Sequence, residues 1–301
     1  MSSNHIDAAA LAQLSLHDPC NFDIQLSQTQ HRLELLRYWN IVGGSNVLEL
    51  GCGQGDCTVV IADVVGEKGR VVGVDPGPPD YGSPFTLAQS QNHISLGPLG
   101  PRITWIQRDP LSYLSSLSPP TNGTFTFDAT VLAHSLWYFS SPALVLSTFR
   151  ALKQYSKRLC LAEWSLFATN PAAQPHVLAA LAQAALECRK PMSASNVRTV
   201  MSLKRITELA REAGWKLESE KRVQCNMLDG QWEVAACLGE KFQKEVGEFV
   251  ADERERDVVR ALRDACEANL ERVEGGKEGV KSMDVWVGNL VQAGLDYTAA
   301  V

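Results

Sequence analysis

The sequence predicts an α/β fold in which helices cover both faces of a mostly parallel sheet. Three observations lead to this prediction. An apolar strand at 47–50 runs into three alternate glycines and then into an apolar helix. Two further apolar strands, at 70–75 and 103–107, are each followed by polar turn residues and a helical pattern. Strands that alternate with helices in this way are typical of a parallel sheet with crossover helices.

The glycine turn favours a bound ligand with positive charge. Gly51 and Gly53 allow a tight turn and a close approach of the backbone to a ligand. A dinucleotide motif would read G-x-G-x-x-G, but Asp56 stands where the third glycine would be, with Gly55 one place early. Glu49 and Asp56 put negative charge where a pyrophosphate would lie, so an ammonium or a sulfonium fits better.

The second and third strands each end near an acid. Asp75 comes 20 positions after Gly55, the spacing at which a carboxylate accepts both hydroxyls of a ribose. It would equally suit the turn that the following prolines impose. Asp109, before Pro110, is first of all a good residue for the start of a helix at 111–117, and a ligand contact there stays open.

Together, the E-x-G-x-G-x-G motif, the second strand ending in an acid and the Arg108-Asp109-Pro110 segment resemble the class I S-adenosylmethionine-dependent methyltransferases. The segments GCGQGD, HSLWYF and MDVWV are also similar to small fungal-type methyltransferases of undefined substrate. The resemblance implies a Rossmann-like, seven-stranded sheet with an antiparallel last strand, small-molecule substrates and secondary metabolism. It also implies S-adenosylmethionine as cofactor, bound by Tyr38, Glu49, Gly51, Gly53, Gln54, Gly55, Asp75, Pro76, Asp109, Pro110 and His134.

Composition limits the organisation and the partners. The 301 residues, 45% of them hydrophobic, show no compositional break and predict one domain. Within it we expect an N-terminal helical cover at 1–43, a cofactor half at 44–165, and substrate or lid helices with the last two strands at 166–301. The net charge of −6 argues against a nucleic-acid partner. The eight cysteines lack metal-ligand spacing, so we expect no metal and reduced thiols.

The sequence predicts a cytoplasmic protein, because it shows no secretory signal and no apolar run of about 18 residues. We expect a monomer or a homodimer. The first clear helix is expected to start at Ser27, where a capping box fits, and to end at the glycines 43 and 44. His31, Leu35 and Tyr38 share one face of this helix. The resemblance to class I methyltransferases implies that this face is directed toward the active site. A surface histidine beside a half-buried tyrosine is the alternative.

A fourth strand, predicted at 125–132, is followed by His134, Trp137 and Tyr138. Ligands of open α/β sheets bind outside the carboxyl ends of the strands, which is where these side chains fall. A core histidine under an aromatic cluster is the alternative. The fifth strand, at 158–164, carries Trp164 at the same edge.

The C-terminal third predicts helical insertions after strands five and six. Helices at 172–189 and 203–213 stand where the plain fold needs one, and the first of them would form a lid over the acceptor. An edge strand follows at 215–224, then a charged helical region at 232–274 and a last strand at 283–290. The expected acceptor-binding residues are His31, Trp137, Tyr138, Trp164 and Trp232.

Methyl transfer mainly requires alignment of donor and acceptor, and a hydroxyl acceptor also needs a base. His134, His31 and Tyr138 are the catalytic candidates. A carboxylate or amine acceptor would require neither histidine as a base. Two alternatives keep the fold: a cyclase or pericyclase that binds the cofactor without methylating, and a regulatory subunit without activity.

Overall fold

The computed structural model describes residues 7–120, 125–193, 195, 197–225 and 227–294. Within them, seven strands form one sheet in the order β3-β2-β1-β4-β5-β7-β6. Only β7 runs antiparallel, and it pairs with both β5 and β6. The predicted sheet, with its antiparallel last strand, is therefore confirmed. The strands are β1 (Asn46–Leu50), β2 (Arg70–Asp75), β3 (Ile103–Gln107), β4 (Ala129–Ala133), β5 (Arg158–Trp164), β6 (Trp215–Val223) and β7 (Val285–Gln292).

Helices cover both faces of this sheet. They are α1 (Ala8–Ala12), α2 (Phe22–Trp39), α3 (Asp56–Val65), α4 (Leu87–Leu96), α5 (Pro110–Ser116), α6 (Pro142–Leu152), α7 (Gln174–Glu187), α8 (Leu203–Glu212), α9 (Asp229–Leu238), α10 (Glu240–Phe249) and α11 (Glu253–Leu270). Val47 packs into one core with α2 and α3, while the next residue, Leu48, packs into another with α5, α6 and α8. Because side chains alternate along a strand, the central strands must be apolar on both sides.

The start of α2 differs from the prediction. A 3-10 helix at Pro19–Asn21 leads directly into α2 at Phe22, so Ser27 lies inside the helix. The Ser27 hydroxyl donates to the carbonyl of Ile24 at 2.8 Å. The predicted capping box at Ser27 is wrong, because the hydroxyl of a serine inside a helix can donate its hydrogen bond to a carbonyl of the preceding turn.

The start of β4 also differs. The strand begins at Ala129, and Phe127 makes only an isolated bridge to Ser156. The carboxylate of Asp128 accepts from the backbone N–H of Asn46 and pairs with Lys157. Asp128 thus holds the start of β4 in place. The strand begins at 129 and not at 125, as the sequence pattern had predicted.

In the part of the chain that the structure describes, the charged helical region predicted after β6 consists of the three helices α9, α10 and α11. Their apolar sides pack with α7 into a third core, whose members include Leu186, Val234, Phe242, Val246 and Val259. This helical layer places α7 and α9 over the carboxyl end of the sheet. Among the described residues, none of the helices has the length and apolarity needed to span a bilayer.

Candidate active site

The glycine turn after β1 has the backbone that only glycine adopts readily. The φ angles of Gly51 and Gly53 are +79° and +52°. A Cβ on Gly51 would lie 2.5 Å from the Cβ of Ser135, whereas one on Gly53 would meet nothing within 4 Å. Gly51 therefore permits the close packing of the turn on the end of β4, and Gly53 leaves open space above the turn for a ligand.

Asp75 at the end of β2 shapes that turn. Its carboxylate accepts from the backbone N–H of Gly53 at 2.9 Å and from that of Gly77 at 2.7 Å. The amide of Gln91 on α4 donates to the carbonyl of Gly53 at 2.9 Å. Asp75 is only partly buried. A carboxylate has about four lone-pair sites, so Asp75 keeps acceptor capacity for a ligand beside the open space.

Glu49 lies beneath the turn and is fully enclosed. The hydroxyl of Thr58 on α3 donates to its carboxyl at 2.5 Å. Burial raises the pKa of Glu49 to about 8. The carboxyl of Glu49 thus faces Thr58 on α3, and its raised pKa favours the protonated form at neutral pH.

The remaining predicted cofactor residues near the turn lie on loops or, for Pro110, at the start of α5. The amide of Gln54 donates to the carbonyl of Phe85 at 2.5 Å, and Pro76 is exposed. Asp109 is exposed and caps α5 by accepting from the N–H of Ser112 at 2.9 Å, with Pro110 in the first turn. The N–H of Arg108 donates to the carbonyl of Asp75 at 3.0 Å, which holds Asp109 close to the end of β2.

Tyr38 does not lie at this edge. It is seven positions after His31 on α2, which corresponds to roughly 10 Å along the helix. The carbonyl of Asn40 accepts from Arg158, the first residue of β5, so this end of α2 lies at the amino ends of the strands. The assignment of Tyr38 to the cofactor site is wrong, because α2 runs from the ligand edge of the sheet to the opposite edge.

Two buried histidines meet at the carboxyl end of β4. The Nε2 atoms of His31 and His134 are 2.9 Å apart. Burial lowers the pKa of both imidazoles well below 6.5. Both rings are therefore neutral at neutral pH, and one Nε2 donates to the other.

Glu163, at the end of β5, lies next to this pair. It accepts from the backbone N–H groups of Leu136 at 2.9 Å and of Trp164 at 3.0 Å. One oxygen is 3.9 Å from Nδ1 of His134, which has no hydrogen-bond partner among the described residues. Burial raises the pKa of Glu163 to about 7, so the carboxyl is present in both forms near neutral pH.

An aromatic wall continues from the histidines. The ring of Trp164 lies 4.5 Å from that of His134 and 5.0 Å from that of His176 on α7, measured between centroids. His176 accepts from the N–H of Met283 through Nδ1 at 3.0 Å, and burial lowers its pKa to about 3. A cavity opens at this wall, lined also by Ala180 of α7 and by Asp229 and Glu233 of α9.

The other predicted acceptor residues have different surroundings. Trp137 touches the cavity but is buried, and its Nε1 donates to the carbonyl of Met201 at 3.4 Å. Tyr138 lines the cavity although 47% of the residue is exposed. Desolvation of its hydroxyl, with the nearby charge of Glu163, raises its pKa. Trp232 is 49% exposed on α9 and is not among the residues that line the cavity.

The sequence analysis gave no role at the site to four residues that line this cavity: Glu163, His176, Asp229 and Glu233. Asp229 leaves its Oδ2 buried without a partner among the described residues, and burial raises its pKa. An acid at the start of a helix looks like an ordinary first-turn residue. The spacing of Asp229 and Glu233, one helical turn apart, was the available signal that both share a face.

Comparisons with known proteins find methyltransferases among the relatives of this chain. The family model of protein-L-isoaspartate(D-aspartate) O-methyltransferase matches residues 13–79. Methyltransferase phomM' of Diaporthe leptostromiformis is 31% identical over 277 residues, covering 80% of this chain and 72% of the relative. A cyclopropane-fatty-acyl-phospholipid synthase-like protein from Lactobacillus casei superposes with a TM-score of 0.79 at 31% identity, over 94% of this chain and 98% of that one. The [4+2]-cyclase SpnF, with a TM-score of 0.50 at 16% identity over 88% of this chain and 80% of its own, shares the fold alone.

The sheet order, the glycine turn and Asp75 define a Rossmann-like methyltransferase that uses S-adenosylmethionine. The chain belongs to this family of methyltransferases, together with its relative in Diaporthe leptostromiformis. The residues present fit the cofactor: space is open above Gly53, and Asp75 offers free acceptor sites beside it.

Proposed function

We propose that the protein transfers the methyl group of S-adenosylmethionine to an amine or a hydroxyl group of a small molecule. The observation that carries this proposal is the neutral His31–His134 pair, which adjoins the cavity beside Trp164. The acceptor would bind in this cavity, between the end of the sheet and helices α7 and α9.

Asp75 would hold the ribose and the turn around Gly53 would support the rest of the cofactor. Asp109 and Pro110 would lie beside the adenine. The backbone hydrogen bond from Arg108 to Asp75 keeps the segment 108–110 next to the ribose site. When bound, S-adenosylmethionine supplies an electrophilic methyl group on a sulfonium. The contribution of the protein is to align the acceptor with that group and to accept a proton where one must leave.

For a hydroxyl acceptor, His134 is the proposed base. If its Nε2–H donates to His31, its Nδ1 carries a free lone pair on the side of Glu163. The proton of the hydroxyl would pass to this Nδ1. The imidazolium so formed would be stabilised by the Glu163 carboxylate at 3.9 Å.

The charges around the cavity disfavour a carboxylate acceptor. Glu163, Asp229 and Glu233 all line the cavity, and an anionic substrate would be repelled wherever they are ionised. An amine would be attracted by the same carboxylates and by the aromatic face of Trp164. The fungal source of the two relatives from Diaporthe leptostromiformis supports a role in secondary metabolism.

The test is incubation of the purified protein with methyl-labelled cofactor and a panel of phenols, amines and carboxylic acids. Label should transfer to amines or phenols and not to simple carboxylic acids. Transfer to carboxylic acids alone would contradict the proposed acceptor class. Conversion of an acceptor into an unlabelled, isomeric product would instead indicate the cyclase alternative.

A further inference from the structure

Arg32 on α2 carries a positive charge that no ion pair balances among the described residues, and this charge acts on Glu163 and Asp229 at the cavity. Its Nη1 donates to the sulfur of Met227 at 3.3 Å, and a thioether is a weak acceptor. Its Nε is buried without a hydrogen-bond partner, and no ion pair joins Arg32 to a carboxylate in the part of the chain that the structure describes. A partly buried guanidinium in this state is unfavourable unless an anion binds to it.

The position of Arg32 is fixed by two contacts of its own helix. Gln25, on the same face of α2, donates to Asp56 at 3.0 Å, immediately after the glycine turn. His31, the preceding residue, bonds to His134 at the cavity. The guanidinium therefore lies between the turn and the acceptor cavity.

The electrostatic surroundings agree with this location. Burial raises the pKa values of Glu49, Glu163 and Asp229, and the positive charge of Arg32 opposes that effect at all three. Glu49 lies beneath the turn, whereas Glu163 and Asp229 line the cavity. The charge of Arg32 thus reaches both halves of the site.

We propose that the guanidinium of Arg32 binds the α-carboxylate in the amino-acid portion of the cofactor. The sulfonium of S-adenosylmethionine carries three groups: the ribose, the methyl group and the amino-acid chain. The ribose would lie at Asp75 and the methyl group would be directed into the cavity. The amino-acid chain would then extend over the glycine turn toward α2, where its carboxylate can pair with the guanidinium of Arg32. This inference rests on S-adenosylmethionine being the cofactor.

Isothermal titration calorimetry with two ligands tests the assignment. S-adenosylhomocysteine retains the carboxylate, and 5′-deoxy-5′-(3-aminopropylthio)adenosine lacks only that group. The wild-type protein should bind the first ligand roughly 10- to 100-fold more tightly, the ratio expected for a hydrogen bond to a charged group. In Arg32→Met this preference should disappear through loss of affinity for S-adenosylhomocysteine alone, and Arg32→Lys should keep part of it.

Arg37→Met, at an exposed position of the same helix, is the matched control and should keep the full preference. Equal binding of the two ligands by the wild-type protein would overturn the assignment without using any variant. An equal loss of affinity for both ligands in Arg32→Met would also overturn it, because the residue would then only support the site. A wild-type protein that binds neither ligand would contradict the cofactor itself.

Discussion

The Nε2 atoms of His31 and His134 lie 2.9 Å apart, although 103 positions separate the two residues in the chain. The bond joins the middle of α2 to the residue that follows β4. His134 itself has a φ of +56°, a strained value for a residue with a side chain. Packing of α2 on the sheet thus orients the imidazole that we propose as the base.

Replacing His134 by alanine should lower turnover on a hydroxyl acceptor by roughly 10²- to 10⁴-fold, as expected for the loss of a general base. Affinity for S-adenosylhomocysteine should change little. Steady-state kinetics with calorimetry measures both effects, and His93→Ala, at an exposed position on α4, is the control. If His134→Ala and His31→Ala both stay within a few-fold of wild type, the site works by alignment alone.

The pH–rate profile for a hydroxyl acceptor should have its acidic limb below pH 6.5. Burial lowers the pKa of both histidines well below 6.5, so the imidazoles stay neutral when the medium becomes mildly acidic. Turnover should decrease only when the pH falls through the lowered pKa. A limb at or above pH 6.5 would show that the base is another group or is solvent-exposed.

Replacing Asp75 by alanine should weaken binding of S-adenosylhomocysteine by about 1.5–3 kcal/mol, the range for hydrogen bonds to a charged group. Two backbone N–H groups, of Gly53 and Gly77, lose their acceptor in the same variant, so the turn itself should loosen. Calorimetry measures the loss. Asp80→Ala, in the exposed loop that follows, serves as the control, and an equal effect in both variants would contradict a specific role of Asp75.

The contribution of Glu49 to folding stability should decrease as the pH rises from 4.5 to about 8, because burial raises the pKa of this carboxyl over that range. The native state keeps a proton that the unfolded chain releases, so the contribution is full below pH 4.5 and is lost as the pH passes about 8. Glu49→Gln cannot titrate and should remove a pH-dependent term on the order of a few kcal/mol. Urea unfolding at several pH values measures it.

Glu67→Gln, at an exposed position, is the control for this experiment and should keep the wild-type pH dependence. An unchanged slope in Glu49→Gln would mean that Glu49 is ionised in the native protein.

Replacing Ala180 by leucine should narrow the acceptor cavity. Ala180 is buried on α7 and lines the cavity, and no residue of the glycine turn is among the residues that line it. We expect a higher KM for the acceptor and an unchanged affinity for S-adenosylhomocysteine. Deletion of 172–198 would be a poorer test, because Leu186 and other residues of α7 belong to the third core. A loss of cofactor affinity in Ala180→Leu would place the cavity wall at the cofactor instead.

Local signals in the sequence were sufficient for the sheet and for the turn. An apolar run placed β5 with the correct bounds, because all of its residues after Arg158 are buried and a buried parallel strand forms a continuous apolar run. The alternate glycines indicated the turn, because glycine readily adopts the positive φ angles that Gly51 and Gly53 have here. Asp75 was identified by its place at the end of β2.

Tertiary structure decided which side chains meet at the site. The face of α2 that carries His31 also carries Tyr38, yet only the His31 end reaches the carboxyl edge of the sheet. Asp229 reaches the cavity only because α9 packs over it, and the charge of Arg32 on the distant helix α2 acts on the Asp229 carboxyl there. Glu49 belongs to the motif, but its direction depends on Thr58 across the α3 interface. A sequence pattern specifies the period and type of an element, whereas the rotation and extent of a helix depend on packing between distant segments.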